Sequence, residues 1–139
     1  MKKIDSLLPS FKPKVMVLLH ELELQGITCV VTSARRTLAE QNKIYQQGRT
    51  TPGAIVSNAR GGESAHNFGS AVDICPLNSA GELWWDCPDD IWHVIALTAT
   101  KNGLEAGYDW AKFRDAPHVQ DPHWKDQQAL WKQGRIQVA

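Results

Sequence analysis

Apolar positions crowd residues 15–24, between Pro13 and Gly26, and this spacing predicts a helix that starts near Ser10 and stops at a glycine cap. The run Ile27-Thr28-Cys29-Val30-Val31-Thr32 is continuous and β-branched, the pattern of a buried strand. Thr37 and Glu40 carry the side chains of a capping box, so a second helix is expected from there to Gln47, closed by Gly48. Residues 49–64 hold Pro52, Gly53, Asn58, Gly61 and Gly62 and show no periodicity. A loop of that length is usually functional or disordered.

Beyond it, residues 71–74 read as a short strand, and Asn78-Ser79-Ala80-Gly81 supplies the turn of a hairpin leading to Leu83-Trp84-Trp85. Pro88 and Gly103 bracket a third helix with Ile91, Val94, Ile95 and Thr98 on one face. A last strand over residues 118–120 and a closing helix over 124–133 complete the pattern. Helices mixed with short, mostly antiparallel strands imply an α+β fold. With no internal repeat, low-complexity segment or linker, residues 1–139 read as a single domain. That length is too short for a catalytic domain plus a separate binding module.

Fifteen basic and fifteen acidic side chains balance, so no strong field draws the chain to nucleic acid or anionic lipid. No stretch approaches the roughly 20 apolar residues of a membrane span. The first residues have a basic start but neither a long apolar run nor a small-residue cleavage site. These features predict a soluble chain with a mature cytoplasmic terminus and no signal peptide. Cys29, Cys75 and Cys87 are odd in number and lack C-x-x-C spacing, which argues against disulfides or a thiolate metal site. Their apolar neighbours mark Cys29 and Cys75 as small core side chains.

Chemistry concentrates in Ser64-Ala65-His66-Asn67-Phe68-Gly69-Ser70-Ala71-Val72-Asp73. A histidine in a glycine-rich loop, followed by an aspartate on the next strand, can bring an imidazole nitrogen and a carboxylate oxygen to one cation. The third candidate is His118 in Asp115-Ala116-Pro117-His118, where Pro117 favours an extended backbone. Two histidines and a carboxylate leave a fourth tetrahedral position for water, the ligand set of a catalytic zinc rather than a structural one. Taken singly, each residue has a plainer reading as a loop, capping or surface group.

The combined pattern, Ser64, His66, Gly69, Ala71 and Asp73 followed by Asp115, His118 and Val119, resembles the zinc D-Ala-D-Ala carboxypeptidase and L-alanyl-D-glutamate endopeptidase group, to which several phage endolysins belong. Upstream, Thr32-Ser33-Ala34-Arg35-Arg36-Thr37 with Gln41, then Tyr45, Gly48-Arg49-Thr50 and Pro52-Gly53, is similar to the segment before that group's metal motif. Downstream, Gly103-Leu104-Glu105, Gly107, Asp109-Trp110 and Phe113 resemble its approach to the last ligand. Three positions depart from the group: Ala106 stands where an aromatic residue is common, Tyr108 where a glycine is, and Gln120 where a glutamate frequently follows the final histidine by two.

The resemblance implies a Zn2+ cofactor on His66, Asp73 and His118, Asp115 as the catalytic base, and Arg36, Gln41 and Ser64 as substrate-binding residues. Asp121, beside His123, competes with Asp115 but at the wrong spacing, and Arg35 competes with Arg36. A guanidinium suits a carboxylate or a developing oxyanion. His20, His93 and His123 are expected to be structural or exposed. The implied substrate is the peptide stem of bacterial peptidoglycan. D-Ala-D-Ala and L-Ala-γ-D-Glu both place a D residue with a free α-carboxylate after the scissile amide, so one arginine and one metal would serve either.

The missing export signal and the segment from Gly48 to Gly53 favour the endopeptidase branch and a monomeric endolysin. Such an enzyme waits in the host cytoplasm until a separate membrane pore releases it to the wall. A carboxypeptidase or dipeptidase is the alternative reading, followed by a non-catalytic metal-containing cell-wall-binding module. A nucleic-acid-binding protein lacks the basic surface it would need.

Overall fold

A computed structural model describes residues 2–139. Its centre is a four-stranded antiparallel sheet in the order β1-β2-β4-β3, with β1 at Cys29–Ser33, β2 at Ala71–Pro76, β3 at Glu105–Ala106 and β4 at His118–Gln120. Successive side chains on a strand point to opposite faces, and here the two faces have different tasks. Val72, Ile74 and Val119 enter the hydrophobic core with Val15, Leu18 and Leu22 of helix α1 (Lys12–Leu24) and with Trp92, Ile95 and Ala99 of helix α3 (Asp89–Lys101). Asp73, His118 and Gln120 occupy the alternate positions, on the opposite face.

Register decides what meets on that second face. Asp73 pairs directly with His118 across β2 and β4, and Ala71 with Gln120, while Glu105 of β3 pairs with Gln120. Directly opposed side chains on one face lie close enough to interact. On the other side of β2 the register shifts between Val31 and Ser33, so Ser33 also pairs with Asp73.

The expected elements form, with local differences. Helix α1 begins at Lys12, with Pro13 in its first turn, and ends before Gly26, whose φ of +82° only glycine adopts without strain. Helix α2 (Leu38–Gln46) has both arms of the capping box: the Thr37 hydroxyl accepts from the Glu40 amide at 3.0 Å, and the Glu40 carboxylate accepts from the Thr37 amide at 2.8 Å. β1 starts two residues later than the apolar run. The buried face of α3 centres on Trp92, Ile95, Ala96 and Ala99, with Ile91 and Val94 at its flank; small alanines in the middle of that face carry little weight in an apolar pattern. The hairpin after β2 stops at a single bridge between Leu77 and Leu83, because the turn is closed by Asn78, whose side-chain oxygen accepts from the amides of Ala80 and Glu82 at 3.0 Å, and Leu83 and Trp85 then face solvent. Among the described residues, no helix is long and apolar enough to cross a membrane.

Between α2 and β2 lies a 3-10 turn, Ala65–Phe68, all of it buried. Ser64 caps it by accepting the His66 amide at 3.2 Å, and Gly69 ends it at φ +66°, where a Cβ would meet the Arg35 guanidinium at 2.5 Å. Phe68 anchors the turn between Trp124 and Trp131 of helix α4 (Trp124–Lys132), with ring centroids 6.0 and 5.8 Å away. Gly62 is needed on the same contact, because a Cβ there would run into the Trp131 ring. Phe68→Ala should therefore cost about 3–5 kcal/mol of stability, measured by denaturant unfolding of the metal-free protein. A loss below about 1 kcal/mol would show that the anchor is elsewhere.

Candidate metal centre

Three side chains from three places in the chain converge beneath an open cleft of about 980 Å³. His66 comes from the 3-10 turn, Asp73 from β2 and His118 from β4. One donor atom from each lies within 4.8 Å of the others. Asp73 Oδ1 stands 3.4 Å from His66 Nε2 and 3.5 Å from His118 Nδ1.

The opposite nitrogen of each imidazole is committed to the protein. His66 Nδ1 lies 2.6 Å from the Ala34 carbonyl oxygen, and His118 Nε2 lies 2.7 Å from Gln120 Oε1. An oxygen of this kind only accepts, so the facing nitrogen carries the hydrogen, and the lone pairs of His66 Nε2 and His118 Nδ1 turn inward. Outer hydrogen bonds of this type orient metal-binding histidines generally. Asp73 Oδ1 is the one buried side-chain oxygen or nitrogen without a hydrogen-bond partner among the described residues. A buried carboxylate oxygen left bare is costly, and a cation among these three atoms removes the cost. The set fits a divalent metal.

The electrostatics of the three groups follow from their burial and from one another. Burial depresses His66 below the usual histidine range, although Asp73 pulls the other way. Burial also disfavours charge on His118, but the nearby Asp73 carboxylate and the hydrogen bond to Gln120 leave it raised. Burial alone would raise Asp73; the close approach of His118 and His66 holds it well below the usual carboxylate range, so it is ionised.

The other expected residues take distinct places. Arg36 lines the cleft and donates to Asp73 Oδ2 at 3.0 Å and to Gln41 Oε1 at 3.2 Å. It therefore braces the second oxygen of the ligand carboxylate. Gln41, expected to bind substrate, is wholly buried. Its amide donates to the Ser57 hydroxyl at 3.1 Å and the Ala59 carbonyl at 2.8 Å, so it ties Arg36 to the loop and does not line the cleft. Ser64 lines the cleft but spends its hydroxyl on the His66 amide. Asp115 lines the cleft as well. Crowding by its surroundings, then the charge of Asp73, raises its pKa above the ordinary aspartate value. Its segment is pinned by Gly107, whose carbonyl accepts the Asp115 amide at 3.0 Å and where any Cβ would collide with the Asp115 carbonyl.

The competitors fall away from the cleft. Arg35 donates to the carbonyls of Ser6 and Asn67, and Asp121 accepts the His123 amide at 2.8 Å, a turn contact before α4. His93 packs against Tyr108. Burial pushes the Cys29 thiol up to about 12, which removes it as a nucleophile. Ala106 and Tyr108 do not line the cleft; the Tyr108 hydroxyl donates to Asp89 at 2.7 Å. The sequence reading assigned no role to Glu105 or Trp110, yet both line the cleft. Only the pairing of β3 with β4 brings Glu105 to Gln120, and a two-residue strand leaves no periodic signal.

Two histidines and an aspartate gathered at the polar face of the sheet, with a carboxylate and a guanidinium alongside, are the donor set of a candidate metal centre, of the kind that hydrolytic enzymes use. The family model described as D-alanyl-D-alanine carboxypeptidase matches residues 57–121, the stretch that supplies all three donors. The peptidoglycan L-alanyl-D-glutamate endopeptidase CwlK of Bacillus subtilis (strain 168) is 40% identical over 103 residues, 69% of this chain. The chain spans 62% of the length of that relative. Among solved structures, the Serratia marcescens L-Ala D-Glu endopeptidase ChiX aligns over 91% of this chain and 88% of its own, at 21% identity and a TM-score of 0.62. VanYB in complex with D-alanine-D-alanine aligns over 92% of this chain and 78% of its own, at 16% identity and a TM-score of 0.64. These likenesses show the shared fold.

Chelator-stripped protein titrated with zinc should take up about one ion, and His66→Ala or His118→Ala should abolish tight uptake, since two remaining ligands cannot enclose it. Full occupancy in both variants would remove these residues from the site.

Proposed function

We propose that this chain is a zinc peptidase that hydrolyses the L-alanyl-D-glutamate bond of the bacterial peptidoglycan stem. The observation that carries the reading is the placement of Asp115 in the same cleft as a His66, Asp73 and His118 cluster whose central oxygen lacks a partner. The kinship with CwlK and the likeness to a zinc-complexed VanY structure support the choice of bond and of metal.

Zinc held by these three residues supplies Lewis acidity toward the scissile carbonyl and toward the attacking water. The chain's own groups do the rest. Asp115, with its raised pKa, accepts a proton from the attacking water on a carboxylate oxygen and passes it to the leaving amine nitrogen. Arg36 keeps donor hydrogens beyond its two bonds to Asp73 and Gln41. Those hydrogens face the cleft, where they meet the α-carboxylate of the D residue or the oxyanion of the tetrahedral intermediate. The cleft wall is fixed in advance by Arg49, which donates to the Ser57 carbonyl at 2.9 Å and to Asn58 at 3.1 Å while its guanidinium covers the Tyr45 ring at 3.9 Å.

The resemblance of residues 48–53 to the endopeptidase branch also supports an endolysin role, with release to the wall through a separate membrane pore. Carboxypeptidase action on D-Ala-D-Ala is the second reading, favoured by the description of the matching family. Mass spectrometry of digested peptidoglycan distinguishes the two: new amino-terminal D-glutamate is expected, whereas free D-alanine without it would reject the endopeptidase reading.

The base assignment has its own test. Asp115→Asn should retain fold and zinc but lose roughly 100- to 10,000-fold in rate, because an amide does not take the proton. Asp121→Asn should retain activity. Turnover measured beside zinc content decides it, and an inactive, zinc-loaded Asp121→Asn with an active Asp115→Asn would transfer the role.

A further inference from the structure

The polar face of the sheet continues past the three donors. His118 Nε2 contacts Gln120 Oε1 at 2.7 Å, Gln120 Nε2 donates to Glu105 Oε2 at 2.7 Å, and Trp110 Nε1 donates to the same oxygen at 3.0 Å. Gln120 is buried and sits directly opposite Glu105 in the register. We infer that Glu105 is a positioning residue for the metal centre, its carboxylate selecting, through the Gln120 amide, which ring nitrogen of His118 faces the cation. The inference rests on the metal-site reading above and adds to it a residue two bonds removed from the donors.

The argument is one of donors and acceptors. An ionised carboxylate accepts and never donates, so it draws the NH2 end of the Gln120 amide toward itself. The amide oxygen is then the only atom left for His118, and because an oxygen accepts, the hydrogen of His118 must sit on Nε2. Nδ1 keeps its lone pair and points toward Asp73 Oδ1, 3.5 Å away. Without Glu105 the amide has no reason to prefer this orientation. Turned over, its NH2 group would donate to Nε2, the hydrogen would move to Nδ1, and the nitrogen facing Asp73 would be closed to a cation. Glu105 thus acts through Gln120 as a carboxylate beside the ring would act directly. Outer partners of metal-binding histidines are worth roughly 10- to 100-fold in metal affinity.

The test does not use hydrolysis. Ring 15N shifts of His118 in the metal-free protein, recorded at a pH high enough for the ring to be neutral, should show hydrogen on Nε2, and the Nδ1–H form in the unaltered protein would overturn the inference without any variant. Glu105→Ala should keep the fold by circular dichroism and lose the single tautomer. Its zinc affinity, measured by chelator competition, should fall roughly 10- to 100-fold. In Glu105→Ala/Gln120→Glu a carboxylate meets His118 Nε2 directly, so both the tautomer and the affinity should return. Gln120→Glu alone sets two carboxylates against each other and should weaken zinc.

That rescue separates positioning from a merely structural role of Glu105 under Trp110, which Gln120→Glu would not repair. Unchanged zinc affinity in Glu105→Ala, or a folded double variant as weak as the single one, would overturn the inference. Failure of the unaltered protein to take up zinc would instead reject the metal reading, and the 15N shifts would still report the state of His118.

Discussion

The antiparallel pairing of Asp73 with His118 is the constraint on which the site depends. Register sets it, and register is fixed from the other face of the sheet, where Val72, Ile74 and Val119 must enter the core. A slip of one residue would send Asp73 into that core and Val72 into the cleft. Apolar burial on one face therefore holds the placement of charge on the other. The 3-10 turn brings His66 to the same point, held by Phe68 beneath and by the Ala34 carbonyl at the ring.

Asp73 concentrates the conflict that this arrangement stores. One carboxylate oxygen is neutralised by Arg36, whereas the other is buried against two imidazoles with no hydrogen bond. Burial of an ionised group is tolerated when it is paired, and here pairing is half complete within the protein. The remaining half is available to a cation. Stability and ligand binding are thus coupled through one oxygen atom, since an ion that binds only the folded chain also stabilises it.

Much of this was legible in the sequence because the decisive signals are local. The capping box at Thr37 and Glu40, the glycine at position 69 and the continuous apolar run before Ser33 each act over a few residues, and each marks its element. That His66, Asp73, Asp115 and His118 meet in one cleft was legible through spacing and family likeness. What escaped depends on distant parts of the chain meeting. Gln41 looks like a substrate contact by position, but the loop over it closes off the cleft and turns it into a brace for Arg36. Glu105 lies on a strand too short for any pattern, and its partner is fifteen residues away across the sheet. The small-residue face of α3 escaped because alanine contributes little to an apolar pattern and much to close packing.

The loop stitched by Arg49 has a consequence for how such a chain diversifies. Its anchoring bonds run to Tyr45, Ser57 and Asn58, while Ile55 and Val56 between them stand exposed on the cleft's rim. Because the anchors rather than the tip carry the loop's shape, side chains at the tip are free to vary without disturbing either the wall or the three donor side chains beneath it. The conformational entropy of ordering that wall is spent when the chain folds, so an arriving peptide need not supply it. One element thereby separates what must stay constant from what can drift.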